Sequence, residues 1–123
     1  MAAPNIVSPT SLYGKTAAGT LTTSATAILS NASASGKLLK VNSLYIANVD
    51  GTNAADATIS QYSQAAVAGT ATAIASTIPV LADNTLVVID KDSPLYLEED
   101  MSLGGLASAN SDLVWVVSYE EYA

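Results

Sequence analysis

The chain of 123 residues contains no cysteine, no histidine and no phenylalanine, and arginine is missing as well. Without cysteine there is no disulfide framework, no thiolate nucleophile and no cysteine-based zinc site. Without histidine, the usual imidazole base and the commonest metal ligand are also missing. These absences remove most of the residue types that carry out chemistry. We therefore expect a protein that is not an enzyme, with no catalytic residues, no metal site and no cofactor.

Positive charge is also scarce, and this limits the partners of the chain. Four lysines stand against eleven acidic residues, which gives a formal net charge of −7. Proteins that bind a phosphate backbone use clustered arginine and lysine, so we do not expect nucleic-acid binding. No apolar run reaches the roughly 18–20 residues of a membrane helix, and residues 1–5 lack the features of a secretory signal. We expect a soluble protein made in a cytoplasm, without a membrane partner.

What the chain does contain is a succession of short β-type segments separated by turn residues. About eight such strands at short spacings are typical of a β-sandwich or a jelly roll. We predict one all-β, antiparallel domain of this kind over residues 13–123, preceded by an extended N-terminal arm over residues 1–12. Alanine, serine, threonine and glycine make up nearly half of the chain. A core with so few large side chains gains stability when neighbouring subunits bind.

Four local patterns give more specific structural predictions. The alternation of apolar residues changes phase at Asn42-Ser43, which predicts a β-bulge. The closing strand from Leu113 alternates, with Trp115 on its inner face, while residues 86–89 form a β-branched run of the kind buried on both faces. Residues 63–71 predict an exposed hairpin tip. Gly104-Gly105 marks a bend or a close approach of backbone.

Candidate ligand-binding residues are few. Glu98, Glu99 and Asp100 offer carboxylate oxygens of the kind that calcium prefers, but three consecutive acidic residues are also typical of a solvated turn. Whether this turn binds a cation stays open. Trp115 fits a core position, and its alternative role is to stack on a sugar. A glycosidase would need two carboxylates facing each other across a cleft, and no serine lies in a nucleophile elbow.

The candidate interface residues lie near the two ends of the chain. The arm is uncharged and includes Pro4, Ile6 and Val7, which could pair as an extra strand with the sheet edge of a neighbouring subunit. At the other end, Tyr119 and Tyr122 combine apolar area with a hydroxyl group, a combination enriched in protein interfaces. We therefore predict these five residues as interface residues.

Several stretches of the chain resemble a group of small virion proteins of tailed bacteriophages, notably marine and cyanobacterial ones. The stretches are residues 45–56 (YIANVDGTNAAD), 96–99 (YLEE), 107–113 (ASANSDL) and 118–121 (SYEE). They occur in the same order and at similar spacing from about residue 14 onward. The resemblance implies a β-sandwich that is repeated many times on the particle. Its motifs are pieces of strands and turns, with no catalytic signature.

These observations favour a capsid decoration or cement protein that stabilises the phage head by binding across capsid subunits. Its expected partners are other virion proteins, above all the major capsid protein, and further copies of itself as a homo-oligomer. The expected location is the virion. One alternative is a neck, tail or fibre-attachment protein of the same particle. An alternative of another class is a carbohydrate-binding module that uses Trp115 or exposed tyrosines.

Overall fold

The computed structural model describes residues 4–123, and all regular structure in this range is β. The nine strands are β1 (Leu12–Thr20), β2 (Thr26–Asn31), β3 (Leu38–Asn48), β4 (Ala55–Gln64), β5 (Ala68–Val80), β6 (Thr85–Ile89), β7 (Leu95–Leu97), β8 (Met101–Ala107) and β9 (Leu113–Tyr122). The predicted all-β class is confirmed. No helix of the length and apolar character needed to span a membrane occurs within residues 4–123.

The strands form two antiparallel sheets that pack as a β-sandwich, as predicted. The first sheet has the order β1-β9-β3-β6, with β7 also paired to β3, and the second has the order β2-β8-β4-β5. Most pairs are nested along the chain: β4 with β5, β3 with β6 and β7, β2 with β8, and β1 with β9. Pairing of β9 with β3 completes the first sheet, and pairing of β8 with β4 completes the second.

The core lies between the two sheets and contains large aliphatic side chains from both of them. Each fully buried side chain of this kind contributes about 1.5–3 kcal/mol. The largest fully buried hydrophobic residues are Leu21, Val41, Leu44, Ile46, Ile59, Leu97, Leu103, Leu113 and Val117.

Two of the local predictions are confirmed in the first sheet. The pairing of β3 with β9 changes register between Val41 and Ser43, so Asn42 is the extra residue of a β-bulge. In β9, Leu113, Trp115 and Val117 are buried on the inner face. The period of two residues in the sequence therefore placed both strands correctly.

Of the two predictions about exposure, one differs from the structure and one agrees with it. Residues 86–89 belong to β6 at the edge of the first sheet, where Val87 is 51% exposed, so the run is not buried on both faces. The predicted exposed hairpin tip over residues 63–71 is confirmed, since β4 and β5 are joined there and most of these residues are exposed. The backbone amides of Ala65, Ala66 and Val67 donate hydrogen bonds to Asp100, Ser30 and Ser102, which hold the tip against the second sheet.

The predicted arm joins the domain beside the C-terminal residue. The amides of Thr10 and Ser11 donate to the carbonyl of Ala123 at 2.7 and 3.0 Å, and the amide of Ala123 donates to the carbonyl of Ser11 at 3.0 Å. Residues 12–20 form β1, so the sheet begins at the last residue of the predicted arm. The pairing with β9 therefore fixes where the arm leaves the sandwich.

Candidate interaction surfaces

The predicted arm exposes apolar side chains. Ile6 is 45% and Val7 is 88% exposed, while Pro4 is partly buried. The amide of Ser8 donates to the carbonyl of Asn5 at 3.1 Å, and the amide of Val7 donates to Oδ1 of Asn5 at 2.9 Å. These bonds make a turn in the segment that we expected to be extended. Residues 1–3 lie outside the described part of the chain.

The two candidate tyrosines of β9 lie on opposite faces of the first sheet. Tyr119 points inward and packs against the core, and it is partly buried. The Tyr122 side chain lies on the outer face, where its hydroxyl donates to Oε2 of Glu120 at 2.7 Å. Both side chains are partly buried, and the interface role of both residues stays a prediction.

Glu120 lies at the centre of a small hydrogen-bonded group on this outer face. Besides the bond from Tyr122, Nδ2 of Asn42 donates to Oε1 of Glu120 at 3.0 Å. The bonds from Tyr122 and Asn42, with a smaller contribution from the charge of Lys40, hold the pKa of the Glu120 carboxyl below its usual value. The hydrogen bond between Tyr122 and Glu120 also raises the pKa of the Tyr122 phenol. Both carboxylate oxygens are therefore held in place in the ionised form.

Apolar side chains lie on the same outer face, above this polar group. Tyr45 pairs with Val116 of β9 on one side and with Val87 of β6 on the other. The three side chains are 42%, 40% and 51% exposed, respectively. Analysis of the sequence missed Tyr45 and Val87 as surface candidates. The alternation of β3 gave a signal for Tyr45, since it is flanked by the buried Leu44 and Ile46.

The edge of the second sheet is uncharged over a long stretch. The chain carries no charged residue between Asp56 and Asp83, a stretch that includes all of β5. Nearly all of β5 is exposed, including the apolar side chains Ile74 and Ile78. Natural proteins usually protect edge strands with charge, proline or bulges. Here Pro79 and three shifts of register against β4 provide the protection, without any charge.

The three carboxylates of the acidic turn, Glu98, Glu99 and Asp100, do not converge on one point. Oε2 of Glu99 accepts a hydrogen bond from the amide of Gly36 at 3.1 Å, and Oδ1 of Asp100 accepts one from the amide of Ala65 at 3.1 Å. Glu98 is exposed. Two of the three carboxylates thus fix neighbouring loops. Residues 4–123 contain no group of three or more acidic side chains placed to hold a metal ion.

Trp115 is a core residue, as its position in the alternation predicted. It is 8% exposed, and its indole Nε1 is buried without a hydrogen-bond partner among the described residues. The backbone of Gly19 lies directly against the indole ring. An aromatic ring in this position is not accessible for stacking on a sugar. Among the described residues, the aromatic side chains that are exposed are tyrosines.

Comparison with known proteins gives a likeness of fold. No family model and no curated protein matches the chain. Among solved structures, one described as "Bacillus endospore appendages form a novel family of disulfide-linked pili" matches with a TM-score of 0.54 and 18% sequence identity. The match covers 92% of this chain and 87% of the other. At this identity the likeness extends to the fold and no further.

Proposed function

We propose that the chain is a non-enzymatic virion structural protein of a tailed bacteriophage, and that it acts as a capsid decoration protein. The observation that carries the proposal is the uncharged, exposed edge strand β5. Pro79 and the register shifts limit pairing along part of this strand, but it carries no charge to oppose pairing with another chain. In a protein present in many copies, such an edge serves as a site of assembly.

The arm supplies the complementary element. Ile6 and Val7 are exposed and uncharged, and the segment leaves the sandwich beside β1, away from its own β5. Once the turn at residues 5–8 opens, addition of the arm to the β5 edge of a neighbouring subunit would satisfy backbone groups and bury apolar side chains of both. The neighbours in this proposal are further copies of the chain and the major capsid protein. The added contacts, repeated over the particle, stabilise the head.

The topology and the resemblance support the same proposal. We propose that the sandwich is a jelly roll, a double-sheet architecture found in viral capsid proteins. The nested pairing of β4 with β5, β3 with β6, β2 with β8 and β1 with β9 favours this topology. The stretches that resemble phage virion proteins include the connection that precedes β9 and parts of β9 itself.

The second candidate is a neck, tail or fibre-attachment protein of the same particle. The structural neighbour favours it, because that protein is described as forming pili, which are extended assemblies. The neighbour's pili are disulfide-linked, whereas this chain has no cysteine. In an assembly of this chain, the subunits would therefore be held by non-covalent contacts alone. Copy number separates the two candidates: a decoration protein occurs in numbers comparable to the major capsid protein, and a neck or tail protein in far fewer.

The assembly model is tested with two variants of the purified protein. Deletion of residues 2–10 removes the arm, and Thr72→Lys places a charge in the middle of exposed β5. We expect each change to weaken oligomer formation in sedimentation experiments and binding to particles that lack the protein. Circular dichroism should remain that of a folded sandwich, because neither change touches the core.

The matched control is Ser33→Lys, which adds the same charge in the exposed loop after β2. It should assemble like the unaltered protein. Unchanged assembly of both the deletion and Thr72→Lys would show that neither the arm nor β5 carries the contacts. Mass spectrometry of intact particles then measures copy number, and absence of the protein from particles would overturn the virion assignment itself.

A further inference from the structure

A pocket of about 430 Å³ opens on the outer face of the first sheet. Its volume lies within the range of small-molecule sites. It is formed by β3, β9 and the turn between β6 and β7, and its lining residues are Lys40, Asn42, Ser43, Tyr45, Lys91 and Glu120.

The β-bulge of β3 gives the pocket two of its polar groups. In a regular strand, two consecutive residues point to opposite faces. Here Val41 and Leu44 are buried in the core, while both residues between them, Asn42 and Ser43, line the pocket. Bulges often occur where a side chain is turned toward a functional site. The Asn42 amide in turn fixes Glu120, so the bulge also determines how the carboxylate is presented.

Half of the positive charges of this acidic chain lie in the pocket. Of its four lysines, Lys40 and Lys91 line it. Lys15 and Lys37 instead form salt bridges with Glu121 at 3.4 and 3.5 Å. Within the described range, neither pocket lysine forms a salt bridge. Among the lining residues, two ammonium groups stand against one carboxylate, which favours a ligand with a single negative group.

The remaining lining groups suit a ligand rich in hydroxyls. The fixed carboxylate of Glu120 accepts hydrogen bonds, the Asn42 amide offers both an acceptor and donors, and the Ser43 hydroxyl can do either. The ring of Tyr45 is 42% exposed at the border of the pocket and presents an apolar surface. A pyranose ring carries alternating hydroxyl and C–H groups, which match this combination of polar and aromatic partners.

We propose that this pocket binds a carboxylated sugar, either free or at the end of a glycan chain. The ammonium groups of Lys40 and Lys91 bind the sugar carboxylate, while Glu120 and Asn42 bind its hydroxyls. Tyr45 packs against the ring. This site is independent of the assembly proposed above, because β5 lies at the edge of the other sheet and the arm is not part of the pocket.

The test is a titration of the isotope-labelled protein followed by backbone amide NMR. The ligands are trigalacturonate, the neutral trisaccharide maltotriose and acetate. We expect saturable shifts centred on residues 40–45 and 120 with trigalacturonate, and affinity for the other two weaker by at least about tenfold. Lys40→Met and Lys91→Met should each weaken binding about tenfold, the loss expected for one charge-assisted hydrogen bond. Tyr45→Ala should weaken it as well.

Matched controls lie outside the pocket. Lys15→Met makes the same change of charge, and Tyr13→Ala removes a tyrosine that is 55% exposed on β1. Both should bind like the unaltered protein. Equal affinity for acetate would reduce the site to a simple anion site and overturn the sugar proposal. Equal affinity for maltotriose would overturn the role of the lysines, and absence of shifts with millimolar trigalacturonate would overturn the site altogether. A free oligosaccharide and the same sugar at the end of a glycan chain should give the same shifts if the pocket accepts both sources.

Discussion

At the scale of single residues, the contact between Gly19 and Trp115 shows how a small residue in β1 shapes the core. The two residues are register partners in the first sheet. A Cβ atom on Gly19 would lie 2.5 Å from Cζ2 and 2.8 Å from Cε2 of the indole ring. The glycine is therefore needed because the ring of the partner residue fills the space of its missing side chain.

We predict that Gly19→Ala destabilises the protein by about 1–3 kcal/mol, the usual effect of adding a methyl group to a filled core. The measurement is the free energy of unfolding in urea. Gly14→Ala is the matched control, since it lies in the same strand and a Cβ atom there would meet nothing within 4 Å. It should stay within about 0.5 kcal/mol of the unaltered protein. Equal stability of both variants would contradict the packing described here.

Buried asparagines also act at this scale. Asn31 is 2% exposed, and its Nδ2 donates to the carbonyls of Lys37 and Leu97 at 2.9 and 3.0 Å. Its Oδ1 accepts from the hydroxyl of Ser35 at 2.6 Å. The side chain thus joins the loop after β2 to β7. It is the first residue of a glycosylation-type sequence, Asn31-Ala32-Ser33, but its amide is fully engaged inside the fold.

At the scale of elements, β8 positions the tip of the β4–β5 hairpin. Ser102 is fully buried, and its hydroxyl accepts a hydrogen bond from the amide of Val67 at 3.0 Å and donates to the carbonyl of Gln64 at 2.7 Å. The side chain of Val67 occupies the space above Gly104, where a Cβ atom would clash with it. The glycine pair predicted a bend or a close approach of backbone, and what comes nearest to Gly104 is the Val67 side chain, which lets the tip lie on the sheet.

We predict that Ser102→Ala costs about 1–3 kcal/mol, because it leaves two backbone groups of the tip without their partner. In this variant, hydrogen exchange of the Val67 amide should become faster relative to the exchange of amides in β9. Ser33→Ala, in an exposed loop, is the control and should change neither quantity. If exchange at Val67 is unaffected by the loss of the Ser102 hydroxyl, the tip is held by other contacts.

The hairpin tip shows what a local pattern leaves out. Residues 63–71 are mostly small and low in complexity, which predicted an exposed tip but not the contacts that hold it. The partners that hold the tip, Ser30, Asp100 and Ser102, are contributed by β2, β8 and the turn before β8. A sequence pattern within the hairpin carries no information about such distant partners. The exposure of β6 was missed for the same reason, since it depends on whether another strand pairs beyond it.

At the scale of the whole molecule, the two sheets share one core. Leu103 of β8 is fully buried between the sheets. Trp115 of β9 belongs to the same core, and its fluorescence monitors the first sheet. We predict that Leu103→Ala lowers the free energy of unfolding by about 2–5 kcal/mol. Tryptophan fluorescence and far-ultraviolet circular dichroism should shift together, as expected for a single cooperative domain.

Leu81→Ala is the control for this prediction, since Leu81 is 59% exposed between β5 and β6. It should change stability little. If Leu103→Ala moved the circular dichroism transition and left the fluorescence transition in place, the sheets would unfold separately. The single-core description would then be wrong.

The candidate site could be predicted from the sequence only in part. The alternation of β9 was readable, because it is a local feature, whereas the interface role of the arm residues stays a prediction. The pocket was not, since Lys40, Lys91 and Glu120 are far apart in the chain and meet through the pairing of β3 with β9 and through the turn after β6. Even the bulge was predicted without its consequence, which is the placement of Asn42 beside Glu120.

The sequence by itself determined the all-β class, the alternation of β9, the bulge of β3 and the absence of cysteine and histidine chemistry. These follow from composition and from the period of two residues, which is a property of the extended backbone. Only the tertiary structure decided which strands are edges, where the hairpin tip lies and which polar groups share a pocket. Such features depend on pairing between distant segments, which arises from burial of the whole core and is not encoded in any one of them.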